Sequence, residues 1–177
     1  MSDLPGKAQV VVVGGGAVGC SIAYHLAHRG CSDVLLLERD RLTSGTTWHA
    51  AGLVGQLRGT PNLTRLAQYG TELYESLETE TGQPTGFVKC GSIMLASSDA
   101  RWNEVRRAHA TATAFGVETD LLRPEEVEDR WPLIDLNGVH GGLWLPNDGQ
   151  INPTDLTMAL ARGARDHGEM NREQTPV

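Results

Sequence analysis

The hydrophobic pattern of this chain changes period early. Gln9–Val13 is a continuous β-branched run, the mark of a parallel strand buried on both faces. Ala17–Arg29 then carries Ile22, Ala23, Leu26 and Ala27 on one stripe, which predicts a helix closed by Gly30. Asp33–Glu38 returns to a continuous apolar strand. Further on, Asn62–Thr81 repeats apolar residues at i, i+3 and i+4 (Leu63, Leu66, Ala67, Gly70, Leu73, Tyr74, Leu77), predicting a helix with Asn62 as cap and this stripe as core. Phe87–Ser97 reads as a strand or hairpin arm with a bulge or turn at Gly91. Asp99–Phe115 reads as a helix capped by Ser98 and ended by Gly116. Arg123–Arg130 is a short helix with Pro124 at its first position. Gly141–Leu145 is a short strand. Asn152 and Pro153 open a last helix that runs to His167. After it, residues 169–177 alternate poorly, with Glu169 and Asn171 where apolar residues are expected. They make a doubtful third strand, and the domain looks cut short there.

The junction between the first strand and helix carries the chemistry. Val10–Gly19 reads VVVVGGGAVG, a G-x-G-x-x-G at the exit of a strand. Gly14 permits the tight turn, Gly16 allows a pyrophosphate to approach the backbone, and Gly19 lets the helix pack close to the strand. The N–H groups at the helix start, near Ala17 and Val18, then face phosphates. Glu38 ends the second strand about 20 residues later, where a carboxylate accepts ribose hydroxyls. It also argues against NADP, because it repels a 2′-phosphate. Arg39 lies along the adenine or ribose. The stretch from Arg39 to Gly59, with SGTTWHAAGL at its heart, is too long and too particular for a plain connector.

Composition narrows the classes. Charged residues make up 21% and hydrophobic ones 40% of 177 residues, a soluble globular balance. A formal net charge of −7 with no large basic patch disfavours nucleic acid and anionic membrane as partners. The apolar window Val10–Ala27 is interrupted by glycines and His25 and is not a membrane span. The segment MSDLPGK has no basic n-region and no cleavage site follows it, so a cytoplasmic location is the default expectation. Cys20, Cys31 and Cys90 form no C-x-x-C and read as free thiols. His25 and His28 lack a further ligand pair nearby in sequence, so no metal site is expected.

The stretches VVVGGGAVGCSIAYHLAHRG and LLLERDRLTSGTTWHAAGL resemble the dimethylglycine dehydrogenase and sarcosine dehydrogenase group of FAD-dependent amine oxidoreductases, of the D-amino-acid-oxidase-like fold. GSIMLASSDARWNEVRRAHATATAFGVE, LLRPEEVEDRWPLID and LPNDGQINPTDL are similar to the same group. The resemblance implies an α/β fold: a Rossmann-like FAD-binding βαβ unit with the start of an α+β substrate domain, incomplete. It implies that residues 1–168 are the N-terminal part of the FAD-binding domain and 169–177 a truncated strand or tail. His49, of the Trp-His pair, matches the position that carries FAD covalently, from an imidazole nitrogen to the flavin 8α carbon. Gly45 through Leu53 are implied to wrap the pyrophosphate and flavin: Thr46 and Thr47 donate hydroxyl hydrogen bonds, and Ala50, Ala51 and Gly52 allow close approach. Trp48 is either a flavin wall or core packing.

The family's reaction is oxidation of a small N-methylated amine such as dimethylglycine or sarcosine, with hydride passing to flavin N5. Tetrahydrofolate, where used, belongs to a C-terminal region beyond these residues. No catalytic base is identified in this chain, and the resemblance leaves the oligomeric state open. Two alternatives stand beside this reading. One is an oxygen-using flavin amine oxidase of the same fold. The other is an FAD- or NAD-binding module without chemistry.

Overall fold

The structure is a computed structural model and describes residues 4–177. In chain order its elements are β1 (Val10–Val13), α1 (Ala17–His28), β2 (Val34–Leu37), a 3-10 turn (Thr47–His49), β3 (Leu53–Val54), α2 (Pro61–Thr81), β4 (Ser92–Ala96), α3 (Asp99–Phe115), β5 (Asp120–Leu122), α4 (Pro124–Arg130), β6 (Gly141–Leu145), β7 (Gly149–Gln150), α5 (Pro153–Asp166) and β8 (Met170–Arg172). The chain divides into two compact units. One comprises the residues up to Gly52, Glu72–Phe87 and Ile151–Val177. The other comprises Leu53–Thr71 and Val88–Gln150.

The first unit holds a parallel sheet in the order β1-β2-β8. Val34, Leu35 and Leu36 of the central strand are buried, as a strand covered on both faces requires. β1 departs from expectation. It lies at the sheet edge, with Val12 buried but Val11 and Val13 exposed at 50% and 64%. The doubtful third strand is real: Leu35–Leu37 pair with Met170–Arg172. Its end is tied back by the Glu173 carboxylate, which accepts the Leu42 N–H at 2.7 Å, and by the Thr175 N–H, which donates to the Glu38 carbonyl at 2.8 Å.

α1 and α5 pack against each other through small residues. Cys20, Ala23 and Ala27 on one side and Ala159, Gly163 and Ala164 on the other are all buried. Ile22, placed on the apolar stripe by its spacing, is instead 46% exposed, and Tyr24 takes the buried position. Gly163 makes room for it: a β-carbon there would lie 2.8 Å from the Tyr24 ring and 3.2 Å from Thr81 Cγ2. Burial, reinforced by the negative charge of Glu169, pushes the Cys20 thiol up to about 12, so it is an inert core thiol.

The second unit is an antiparallel sheet in the order β4-β6-β5, flanked by α3 and α4. Its core joins Ala96, Leu143 and Leu145 of the sheet to Val105 and Ala112 of α3. α3 has the expected bounds. The Ser98 side chain accepts the Arg101 N–H, and Gly116 closes the helix at φ 72°. Gly91 lies directly against Trp144; a β-carbon there would stand 1.9 Å from the indole. Asp148, buried beside β7, accepts hydrogen bonds from the Gln56 N–H at 2.8 Å and the Ser92 hydroxyl at 2.6 Å. β3, β5 and β7, of two or three residues each, were not expected from the sequence pattern.

α2 departs most from its pattern. The helix begins at Pro61, so Asn62 lies inside it, and the Thr60 hydroxyl accepts the Leu63 N–H in the capping role. Leu63 and Leu66 are exposed at 52% and 65%, while Thr64, Thr71, Leu77 and Thr81 are buried. The threonines can be buried because their hydroxyls are satisfied locally. Thr71 donates to the Ala67 carbonyl at 3.1 Å and Thr81 to the Leu77 carbonyl at 2.8 Å.

Glu169 confirms the anomaly seen in sequence. It is buried, and neither carboxylate oxygen has a hydrogen-bond partner among the described residues. Burial, only partly opposed by Arg165 and by the nearby Leu36 backbone, which falls short of hydrogen-bond geometry, raises its pKa from 4.5 to about 7. The folded state therefore keeps a proton that the unfolded state releases. The stability this carboxyl contributes is full below its unfolded value of 4.5 and is lost as the pH rises through about 7. Denaturant unfolding at a series of pH values should show wild type losing stability relative to Glu169→Gln across that window. Parallel curves for the two proteins would contradict this. Gly163→Ala should cost about 1–3 kcal/mol by the same measurement, because the buried Tyr24 ring cannot yield.

Candidate functional site

The turn between β1 and α1 is built around its glycines. Gly14, at φ 108°, turns the chain, and its N–H donates to the Leu37 carbonyl at 2.8 Å. A β-carbon on Gly19 would stand 1.9 Å from the Gly14 carbonyl oxygen, so helix and strand can meet this closely only with glycine here. Gly15 was not singled out by the spacing, yet it is equally confined: a β-carbon would lie 2.5 Å from Leu42 and 3.0 Å from Glu38 Cβ. The middle glycine thus serves the contact between the turn and the end of β2.

Glu38 is anchored by that contact. One carboxylate oxygen accepts the Gly15 N–H at 2.6 Å and the other accepts the Asp40 N–H at 2.9 Å. The side chain is half-buried and held in one orientation at the mouth of the turn, and its remaining lone pairs can accept further donors.

The segment after Glu38 folds back onto the same turn. The Thr43 N–H donates to the Gly15 carbonyl at 2.9 Å, and Thr43 itself adopts φ 71°, a strained conformation for a β-branched residue. The N-cap of α1, Gly16, has no side chain. Thr47 replaces it from a distance, its hydroxyl oxygen accepting the Ala17 N–H at 3.0 Å. The Thr47 oxygen is therefore an acceptor for the helix, while its proton remains available to another partner.

Together these residues enclose a cleft of about 620 Å³. Gly14, Gly16, Ala17, Val18, Gly19, Glu38, Arg39, Gly45, Thr46, Thr47 and Ala50, all predicted from sequence, line it. Asp40, Ser44, Val12, Val13 and Ile22 line it as well and were missed. The exposure of Val13 and Ile22 is explained by this position, since their apolar surface forms part of the cleft wall. Gly14 and Gly45 border open space, with no atom within 4 Å of where a β-carbon would be. A glycine-bordered hollow, a helix N-terminus and a fixed carboxylate fit the diphosphate and ribose of an FAD adenosine half.

The rest of the predicted set lies apart from the cleft lining. Trp48 and His49 form the end of the 3-10 turn and are exposed, their rings 3.7 Å apart. Trp48 is 59% exposed, so within this chain it is not a core residue. His49 Nδ1 lies 3.3 Å from the Gly45 carbonyl. A carbonyl only accepts, so as a hydrogen bond this contact has Nδ1–H as the donor. Ala51 is exposed. Gly52 is buried at φ 73°, and a β-carbon there would meet the Ile151 carbonyl at 2.1 Å. Its smallness thus serves the close approach of the protein's own backbone at Ile151. Leu53 opens β3 in the second unit and is 84% exposed.

Residues 9–177 match the family described as FAD dependent oxidoreductase. The chain belongs to that family. It is 46% identical over 174 residues to 4-methylaminobutanoate oxidase (formaldehyde-forming) of Paenarthrobacter nicotinovorans, a match covering 98% of this chain and 21% of the relative. It is 44% identical over 171 residues to the mitochondrial dimethylglycine dehydrogenase of Homo sapiens, covering 97% of this chain and 20% of that one. Among solved structures, L-proline dehydrogenase from P. horikoshii superposes with a TM-score of 0.92 at 33% identity, over 98% of this chain and 46% of that one. The chain thus spans about a fifth of the length of these two curated relatives.

The geometry makes two substitutions diagnostic. Gly19→Ala should destabilise the chain by about 3 kcal/mol, since its methyl would overlap a backbone carbonyl that β1 cannot move. Thr47→Val should cost about 1 kcal/mol through the lost cap on Ala17, and Thr47→Ser should restore it. Denaturation midpoints of the three variants check both expectations.

Proposed function

We propose that this chain is the FAD-binding part of an oxidoreductase that oxidises the N-methyl C–N bond of a small amine such as dimethylglycine or sarcosine. The observation that carries this is the Thr46–Leu53 loop, TTWHAAGL, next to the glycine-lined cleft, in a chain over 40% identical to enzymes named for N-methylated amino acids. When bound, FAD supplies the acceptor for the electron pair and hydrogen leaving the N-methyl carbon.

The chain's own residues have separate roles. The N–H groups of α1 at Ala17 and Val18 face the diphosphate, with Gly14 and Gly16 giving it access. Glu38 takes the adenosine ribose hydroxyls, and Arg39 lies along that end. Gly45, Thr46 and Thr47 border the diphosphate, with the Thr46 and Thr47 hydroxyls as donors. Trp48, Ala50 and Ala51 border the flavin, and Gly52 sets the path of the loop that follows them. His49 is the covalent attachment residue. Its Nδ1 faces the Gly45 carbonyl at 3.3 Å, so Nε2 is the ring nitrogen not engaged in that contact. Such a linkage prevents loss of the cofactor and raises its reduction potential by withdrawing electrons.

A second reading is kept by one finding. The relative from Paenarthrobacter nicotinovorans is named an oxidase, whereas the human one is named a dehydrogenase. The same site could therefore serve an enzyme that passes its electrons to oxygen. No catalytic base is assigned within these residues. No helix among the described residues is long and apolar enough to cross a membrane.

Acid precipitation of the purified, flavin-loaded protein tests the attachment. Yellow colour should stay with the denatured pellet of wild type and pass wholly to the supernatant in His49→Ala. Colour released from wild type, or retained by the variant, would contradict the assignment of His49.

A further inference from the structure

We infer that His28, Glu80 and His167 form a binding site for a first-row divalent transition ion of the zinc class. The three come from separate stretches of the first unit: the last residue of α1, the penultimate residue of α2 and the residue capping α5. Local sequence spacing gives no hint of them, and only the packing of α1, α2 and α5 brings them together. One ligand atom from each lies within 4.8 Å of the other two.

The distances suit a bridging ion better than direct contact. His28 Nδ1 stands 3.8 Å and His167 Nε2 3.7 Å from Glu80 Oε1. Both exceed a hydrogen bond. In a tetrahedral site with ligands about 2.0–2.1 Å from zinc, neighbouring ligand atoms are about 3.3 Å apart. The two His–Glu separations would need to close by about half an ångström, and all three ligand atoms already lie within 4.8 Å of one another. Two imidazoles and one carboxylate form a donor set that zinc accepts, leaving a coordination position for water.

Two further features favour a cation. The carboxylate is already oriented: the Tyr24 hydroxyl lies 3.0 Å from Glu80 Oε1 and 2.8 Å from Oε2, an outer contact of the kind that fixes metal ligands. The Tyr24 ring is buried and stacks on His28, and His28 meets His167 edge-on with ring centres 5.2 Å apart. In addition, α1, α2 and α5 all present their C-terminal ends at this point, and the partial negative charge there attracts a cation. The ion would tie three helix ends that are otherwise joined by side-chain packing and by the Tyr24–Glu80 hydrogen bonds. Because the ligands converge only in the folded chain, its binding stabilises the fold.

The test uses the full chain, stripped with a chelator. Calorimetric titration with Zn²⁺ should show one ion bound per chain, and saturating Zn²⁺ should raise Tm by several degrees. His28→Ala and His167→Ala should each weaken binding at least tenfold. Glu80→Gln, which keeps an acceptor for Tyr24, should weaken binding while leaving the Tm of the stripped protein close to wild type. Co²⁺ in place of Zn²⁺ should give visible ligand-field bands without a thiolate charge-transfer band. Absence of binding or of a Tm shift would overturn the assignment. So would binding undiminished in both histidine variants, or a thiolate band, since either would place the ion elsewhere, as at Cys31 or Cys90.

Discussion

The first unit is organised by one carboxylate held between two backbone N–H groups. Glu38 reaches from the end of β2 to the Gly15 N–H in the turn after β1, and its other oxygen fixes the Asp40 N–H in the departing chain. This contact requires glycine at position 15, because a side chain there would displace both Glu38 and Leu42. It joins the edge strand to the central strand at the end where α1 begins. The rest of the cleft inherits its position from that junction. Thr43 is tied to the Gly15 carbonyl, and Thr47 reaches the first N–H of α1. A ligand in the cleft would thus meet groups whose orientation is set before it arrives, which lowers the ordering cost of binding.

The legibility of the fold in the sequence follows physical lines. Elements with explicit end signals were readable nearly to the residue. Ser98 and Gly116 bound α3, and Asn152 with Pro153 opens α5, because caps are local chemistry. The phosphate turn was readable for the same reason: its glycines answer short-range steric demands. α2 was readable as a helix but not in its orientation. Its leucines and threonines both recur at helical spacing, and hydrogen bonding within the helix lets the threonines occupy the buried face. β5, β7 and β8 are stabilised by partners distant in sequence, so their own residues carry little signal. β8 in particular forms despite Glu169 and Asn171, since its hydrogen bonds to β2 are backbone bonds that do not depend on side-chain polarity.

The candidate site divides in the same way. Residues acting through backbone geometry (Gly14, Gly16, Gly19) or through a motif position (Glu38) were found from spacing. Val12, Val13, Ile22, Asp40 and Ser44 were missed, because what marks them is their place on the cleft wall and not their type. At Gly52 a demand that the sequence does not show stands beside the expected cofactor approach: Ile151 passes directly behind it. The His28, Glu80 and His167 cluster lies wholly beyond sequence reading, since its ligands come from three helices. That cluster is separate from the cleft and its loop, and it shares no lining residue with them.

Glu38, fixed at the mouth of the phosphate turn, is proposed to read an unmodified adenosine ribose. Calorimetric titration of the chain with ADP and with its 2′-phosphorylated analogue addresses it most directly. ADP should bind saturably, the 2′-phosphate should weaken binding at least tenfold, and Glu38→Ala should lose that discrimination. Equal binding of the two nucleotides by wild type, or unchanged discrimination in the variant, would contradict it.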